Sequence, residues 1–281
     1  MANNDQVNLR YYGLVNSEQS HEATRQRVHW ICKRVVGNTV LDIGCSQGIT
    51  SILLAREGFQ VTGIDIEDTS IKYAKSELMK ESLLVQKKAR FLLKDITMLQ
   101  PKEGTYDTVI MGEILEHFSQ PSKLLSAAHR LLKKGGRVII TVPFGYLPFH
   151  DHKQSFYVGS LCRLLGSYFD ELRVEVQSKY ICYAGRKKDV ISKQIDTTFK
   201  VPQLLKWMQL DQSQYLEYEK KSDKLLRERK QYMDSRDKQL QELRQQSEQL
   251  GKQLEVLRAQ LAQERVNVTQ LRGQLNSGPG K

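Results

Sequence analysis

The chain has 281 residues, 40% apolar and 27% charged, with a formal net charge of +11. No stretch approaches the roughly 18 uninterrupted apolar residues a membrane span needs. The polar opening MANNDQVNLRYYG also lacks the apolar core of a secretory signal, so a cytoplasmic protein is expected. Cys32, Cys45, Cys162 and Cys182 form no C-x-x-C pair, which excludes a zinc knuckle or redox motif; they read as buried, reduced thiols.

The positive charge is uneven, with 23 basic against 19 acidic residues over 1–183 and 20 against 13 over 184–281. A near-balanced front half argues against nucleic acid as a partner. The more basic tail leaves open peripheral contact with the inner face of an anionic membrane.

In chain order, SEQSHEATRQRVHWICKRVV has Val28, Ile31, Cys32 and Val35 at helical spacing, and Gly37-Asn38 can end that helix. Strand-like and helix-like runs then alternate. TVLDIG, QVTGIDI, ARFLLKDI, YDTVIMGEIL and RVIITVP read as strands. GITSILLAREG, TSIKYAKSELMKESLL and QPSKLLSAAHRLLKKGG read as the helices between them. VGSLCRLLGSYF is a further helix, and LRVEVQSKY with KYICYAGRK reads as a closing hairpin. This alternation predicts an α/β fold with a mostly parallel sheet, helices on both faces and an antiparallel edge.

The expected organisation is a globular domain over 1–190, a linker with short helices over 191–211, a coiled coil over 212–276 and a disordered tail over 277–281. From about residue 212 the chain is nearly free of Pro and Gly. With Leu226 at a, the a positions run Met233, Leu240, Ser247, Leu254, Leu261, Val268 and Leu275. The d positions include Leu243, Leu250, Leu257, Glu264 and Leu271. Such a seam needs another chain to cover it, so self-association as a dimer or trimer is expected.

VLDIGCSQGIT joins a strand ending in Asp42 to a helix through a G-x-x-x-G turn. Ser46 stands where a dinucleotide fingerprint has its middle glycine, which makes a pyrophosphate a poor fit. The second strand ends in GIDIED, and Asp65, 17 residues after Gly48, can accept bonds from ribose hydroxyls.

With KDIT, YDTVIMGEILEHF and LLKKGGRVIITVP following in order, residues 35–180 resemble the class I S-adenosylmethionine-dependent methyltransferases, a Rossmann-like fold. The resemblance implies S-adenosylmethionine as cofactor and a site residue by residue. Asp42, Gly44 and Cys45 would lie by the methionine moiety, and Gly48 would admit the cofactor to the backbone. Asp65 would bind the ribose and Ile66 pack on the adenine. Asp95 would accept the adenine amino group with Ile96 beside it, and Glu113 would sit near the methionine end.

Two clusters are candidates for the chemistry: Glu113, Glu116 and His117 in EILEH, and His150, Asp151 and His152 in FHDHKQSF. Catalytic candidates are His117, His150, His152, Glu113 and Asp151, with a histidine as general base. No metal is expected. As an alternative, Glu113, Glu116, His117 and His152 resemble the metal site of small-RNA terminal 2′-O-methyltransferases, and a structural role for these residues is a third reading. GEIL replaces the N-P-P-Y type of motif expected for nitrogen acceptors, so O-methylation is expected. A methyltransferase domain followed by a coiled coil resembles bacterial O-antigen chain terminators. That implies a sugar or glycan acceptor and an assembly partner such as a glycosyltransferase.

Overall fold

A computed structural model describes residues 6–96, 104–145, 151–192 and 201–276. His150 and the tail 277–281 lie outside the described residues. The chain divides into two units, 1–215 and 216–281.

The first unit opens with two helices, α1 (Val7–Tyr11) and α2 (Glu18–Cys32). Ser17 starts α2 by accepting from the Ser20 amide, as an N-cap should. Then follow β1 (Thr39–Ile43), α3 (Ile49–Arg56), β2 (Gln60–Asp65), α4 (Asp68–Leu78), α5 (Leu83–Gln86) and β3 (Ala89–Leu93). The second half is β4 (Tyr106–Gly112), α6 (Pro121–Leu131), β5 (Leu132–Pro143), α7 (Val158–Gly166), β6 (Phe169–Gln177) and β7 (Tyr180–Lys187). The strands form one seven-stranded sheet in the order β3-β2-β1-β4-β5-β7-β6. Strands β1–β5 run parallel, and β7 is antiparallel to both β5 and β6, as the hairpin reading expects.

Alternation along the strands supplies a core on each face. Leu41, Ile43, Val109 and Met111 pack with Leu124, Leu125 and Ala128 from α6 and with Leu161 from α7. Val40, Ile110 and Ile139 face Trp30, Ile52, Leu54 and Ile71 from α2, α3 and α4. Near-continuous apolar strands are what two covered faces require.

Several boundaries differ from the sequence reading: TSIKYAKSELMKESLL, read as one helix, is α4 and α5, and YDTVIMGEIL, read as a strand, ends as β4 at Gly112. The segment KKGG, read as the end of a helix, belongs to β5, because α6 stops at Leu131 and Tyr106 pairs with Leu132. The α1 helix is too short to show a period in the sequence. Residues 201–211, read as linker, are the opening of α8 (Val201–Asn276). There Trp207 is buried and donates to Glu171 at 3.1 Å. Asp211 accepts from the amides of Val158 (2.8 Å) and Gly159 (3.4 Å), capping α7. No helix among the described residues is long and apolar enough to cross a membrane. In the second unit, α8 is exposed throughout residues 223–269.

Candidate active site

The strand order reverses between β1 and β4, and ligands of open α/β sheets sit at such points, at the carboxyl ends of the strands. The turn leaving β1 lies there. Its amides at Gly44 and Cys45 both donate to Ile64 O, at 2.8 and 3.0 Å, and Gly48 N closes the loop on Cys45 O. Gly48 has φ +85°, and a Cβ there would fall 2.6 Å from the Phe91 ring and 2.9 Å from Ala74. Packing against α4 and β3 therefore demands this glycine, a reason separate from the ligand approach expected of it. Ser46 adopts φ +46°, an uncommon conformation for a residue with a side chain. Its amide donates to Asp65 at 2.8 Å, and its Oγ is buried with no partner among the described residues.

Asp42 is buried and accepts from Ser51 Oγ at 2.7 Å. Burial pushes its carboxyl up to about 6; the Ser51 bond opposes this, nearby Asp65 adds to it and Arg27 pulls it down. Asp65 holds the loop through Ser46 and its own helix start through the Glu67 amide, at 3.0 Å. The Ile66 amide also bonds this carboxylate, so of its four lone-pair sites one is left for a ligand. Ile66, next along, is 76% exposed, an apolar side chain left open to solvent beside Asp65. Lys94 N bonds Asp65 O at 2.9 Å, which holds half-buried Asp95 at the same sheet edge; Ile96 is buried.

Beyond β4, Glu113 also has a positive φ, +58°, with its amide bonded to Thr141 O at 2.8 Å. A 3₁₀ turn, Leu115–His117, follows. Glu116 O accepts from the amides of Lys153 (2.7 Å) and Gln154 (3.3 Å), stitching the segment after Asp151 onto this turn. The two sequence clusters therefore meet. His117 Nδ1 is 3.2 Å from Asp151 Oδ2, and the His117 and His152 rings lie edge to face at 5.1 Å. Glu116 is buried, its Oε2 bonded to nothing among the described residues; burial and the neighbouring Glu113 push its carboxyl well above the usual range. Ligand atoms of Glu116, His117 and His152 all lie within 4.8 Å of one another, a group from which Glu113 is absent.

Several site residues were not legible in the sequence. Asn8 of α1 is buried; its Oδ1 accepts from Ile49 N at 3.1 Å and its amide donates to Gln47 at 3.0 Å. It thereby clamps both the glycine turn and the start of α3 from outside. Nothing in the pattern marked it, since it lies far upstream in a helix of five residues. Arg27 is buried, its guanidinium 5.2 Å from the Tyr180 ring, with Lys179 5.4 Å from the same ring. Its signal was available: Arg27 shares a helical face with Thr24 and Ile31, both buried. Burial, with Glu113 second, pushes the Tyr180 phenol up to about 12.

Residues 41–140 match a family model described as a methyltransferase domain. The chain carries a methyltransferase domain. Among curated relatives, it is 36% identical over 126 residues to a ubiquinone biosynthesis O-methyltransferase of Pseudomonas paraeruginosa, covering 43% of this chain and 52% of the relative. It is 32% identical over 152 residues to the enzyme of that name from Dechloromonas aromatica, covering 50% and 64%. The chain thus spans about half the length of the Pseudomonas relatives it matches. Among solved structures, it resembles a magnesium protoporphyrin IX methyltransferase from Synechocystis PCC 6803 with bound SAH, 20% identical, TM-score 0.53, over 65% of this chain and 93% of that one. The [4+2]-cyclase SpnF is similar at 18% identity and TM-score 0.53, over 59% and 82%. A methyltransferase and a cyclase on one fold mean that the reaction has to be argued from the site.

Proposed function

We propose that this chain transfers a methyl group from S-adenosylmethionine to a hydroxyl oxygen, with His117 as general base. The observation that carries this reading is the 3.2 Å approach of His117 Nδ1 to Asp151 at the end of β4. The residues of the glycine turn fit the cofactor: an orphaned buried hydroxyl at Ser46, the half-buried carboxylate of Asp65 and the exposed Ile66 offer polar, ribose and adenine contacts in that order. When bound, the cofactor supplies an activated methyl carbon on a sulfonium leaving group.

The chain's own residues supply position and a proton acceptor. Asp151 holds the His117 ring with Nδ1–H directed at its carboxylate, which leaves Nε2 as the acceptor. Nε2 takes the proton of the hydroxyl as its oxygen forms the new C–O bond, and buried Glu116 lies beside the ring.

The relatives' named activity, O-methylation, supports an oxygen acceptor. Within that class we favour a sugar hydroxyl of a glycan, because the helical tail suits assembly rather than a freely diffusing metabolite enzyme. The same tail, with 20 basic against 13 acidic residues over 184–281, suits contact with an anionic surface.

Radiolabelled methyl transfer to lipid-linked glycan, phenolic small molecules, protein and RNA tests the reading. His117→Ala should lower the rate ~10²–10⁴-fold while S-adenosylhomocysteine binding stays unchanged. An undiminished rate would remove His117 from the mechanism.

A second reading is favoured by the convergence of Glu116, His117 and His152 within 4.8 Å. These oxygen and nitrogen donors suit a divalent cation, which would polarise the acceptor hydroxyl. Activity that survives exhaustive chelation would dismiss it.

A further inference from the structure

The tail carries an orientation as well as a seam. We propose that residues 240–271 of α8 pair with the same residues of a second copy of this chain, parallel and in register. The inference rests on reading the tail as an assembly element and is independent of the methyl transfer.

Two observations support it. First, the seam is uncovered. Leu240, Leu243, Leu250, Leu254, Leu257 and Leu261 are 47–64% exposed on a largely polar helix, spaced in the a and d positions that another helix of the same kind would bury. Second, the flanking positions are one-sided in charge. The e positions hold Arg244, Arg258, Arg265 and Arg272, broken by Gly251, whereas the g positions hold Gln246, Gln253, Gln260 and Asn267. In a parallel pair each e position faces a g position of the other chain, so every arginine meets an amide that can accept its hydrogen bonds. In an antiparallel pair e faces e. An antiparallel pair centred on the seam would set Arg258 against its own copy and Arg244 against Arg272, all like charges.

The test uses the full chain with single substitutions Leu243→Cys and Leu271→Cys, oxidised under native conditions and run without reductant. The unsubstituted chain is the reference, since three of its four cysteines are buried. A parallel pair in register brings each new thiol against its own copy, so each variant alone should form a two-chain disulfide well above the reference. An antiparallel pair centred on the seam would hold the two copies of residue 243 about 38 Å apart, at 1.5 Å per residue. Cross-linking absent from both variants overturns the orientation. Light scattering should give the mass of two chains; a mass of one or of three overturns the pairing itself. Either failure leaves methyl transfer standing, because neither measurement reads activity.

Discussion

Asp42 is an acid placed where ionisation is costly, and Asp42→Asn isolates that cost. The side chain is 4% exposed and its carboxylate has the Ser51 hydroxyl at 2.7 Å as partner. Burial pushes it from 3.8 up to about 6. A group raised on folding stabilises the native state fully below its unfolded value and loses that contribution as pH rises through the folded value. With ~1.4 kcal/mol per unit, the shift amounts to about 3 kcal/mol in full, of which ~1.4 kcal/mol develops between about pH 5 and about pH 8. Asparagine keeps an acceptor for Ser51 and does not titrate. The variant should therefore gain on the native chain by about that amount over this interval. Urea unfolding followed by fluorescence of Trp30 and Trp207, both buried, reads the difference directly. A gap between the two proteins that is the same at both pH values would refute the reasoning, since it would mean that Asp42 does not titrate between them.

Asp65→Ala should weaken S-adenosylhomocysteine binding by ~1–3 kcal/mol in calorimetry, by losing the ribose bonds and the Ser46 strut together; unchanged affinity would remove Asp65 from the cofactor site. Asp107 carries the opposite shift to Asp42: burial resists its ionisation, but Lys133 and the Thr39 and Asn38 amides outweigh this and hold it below the usual range. Its contribution is present above the unfolded value and lost as pH falls through the folded one, so Asp107→Asn should destabilise at neutral pH and lose that effect in acid, as read by denaturant melts. Trp207→Ala should cost about 3–5 kcal/mol, because it empties a buried site in the core of the first unit. A chain ended at residue 205 should accordingly melt well below one ended at 215, as measured by calorimetry.

Local signals that repeat along the chain were legible. Alternating strand and helix periods announced a parallel sheet with an antiparallel edge, because two covered faces force apolar strands and amphipathic helices. The turn from Asp42 to Gly48 and the acid at Asp65 stood out because a tight turn at a strand end admits few residue types, and Asp65 bonds that turn through the Ser46 amide. Also legible was the heptad seam of the tail, since it needs only one helix to be read.

What the tertiary structure decided depends on residues distant in sequence. Asn8 reaches across 41 residues to cap α3, and Arg27 comes over Tyr180 from α2. His117 and Asp151 were two separate motifs until the 3₁₀ turn bonded the segment Lys153-Gln154 and brought them to 3.2 Å. Trp207 looked like linker until Glu171 and the core took it up. A sequence states periodicity and residue type, which local sterics and burial read out directly. Which distant side chains share one crevice follows from how the strands are ordered in the sheet, and no single segment carries that order.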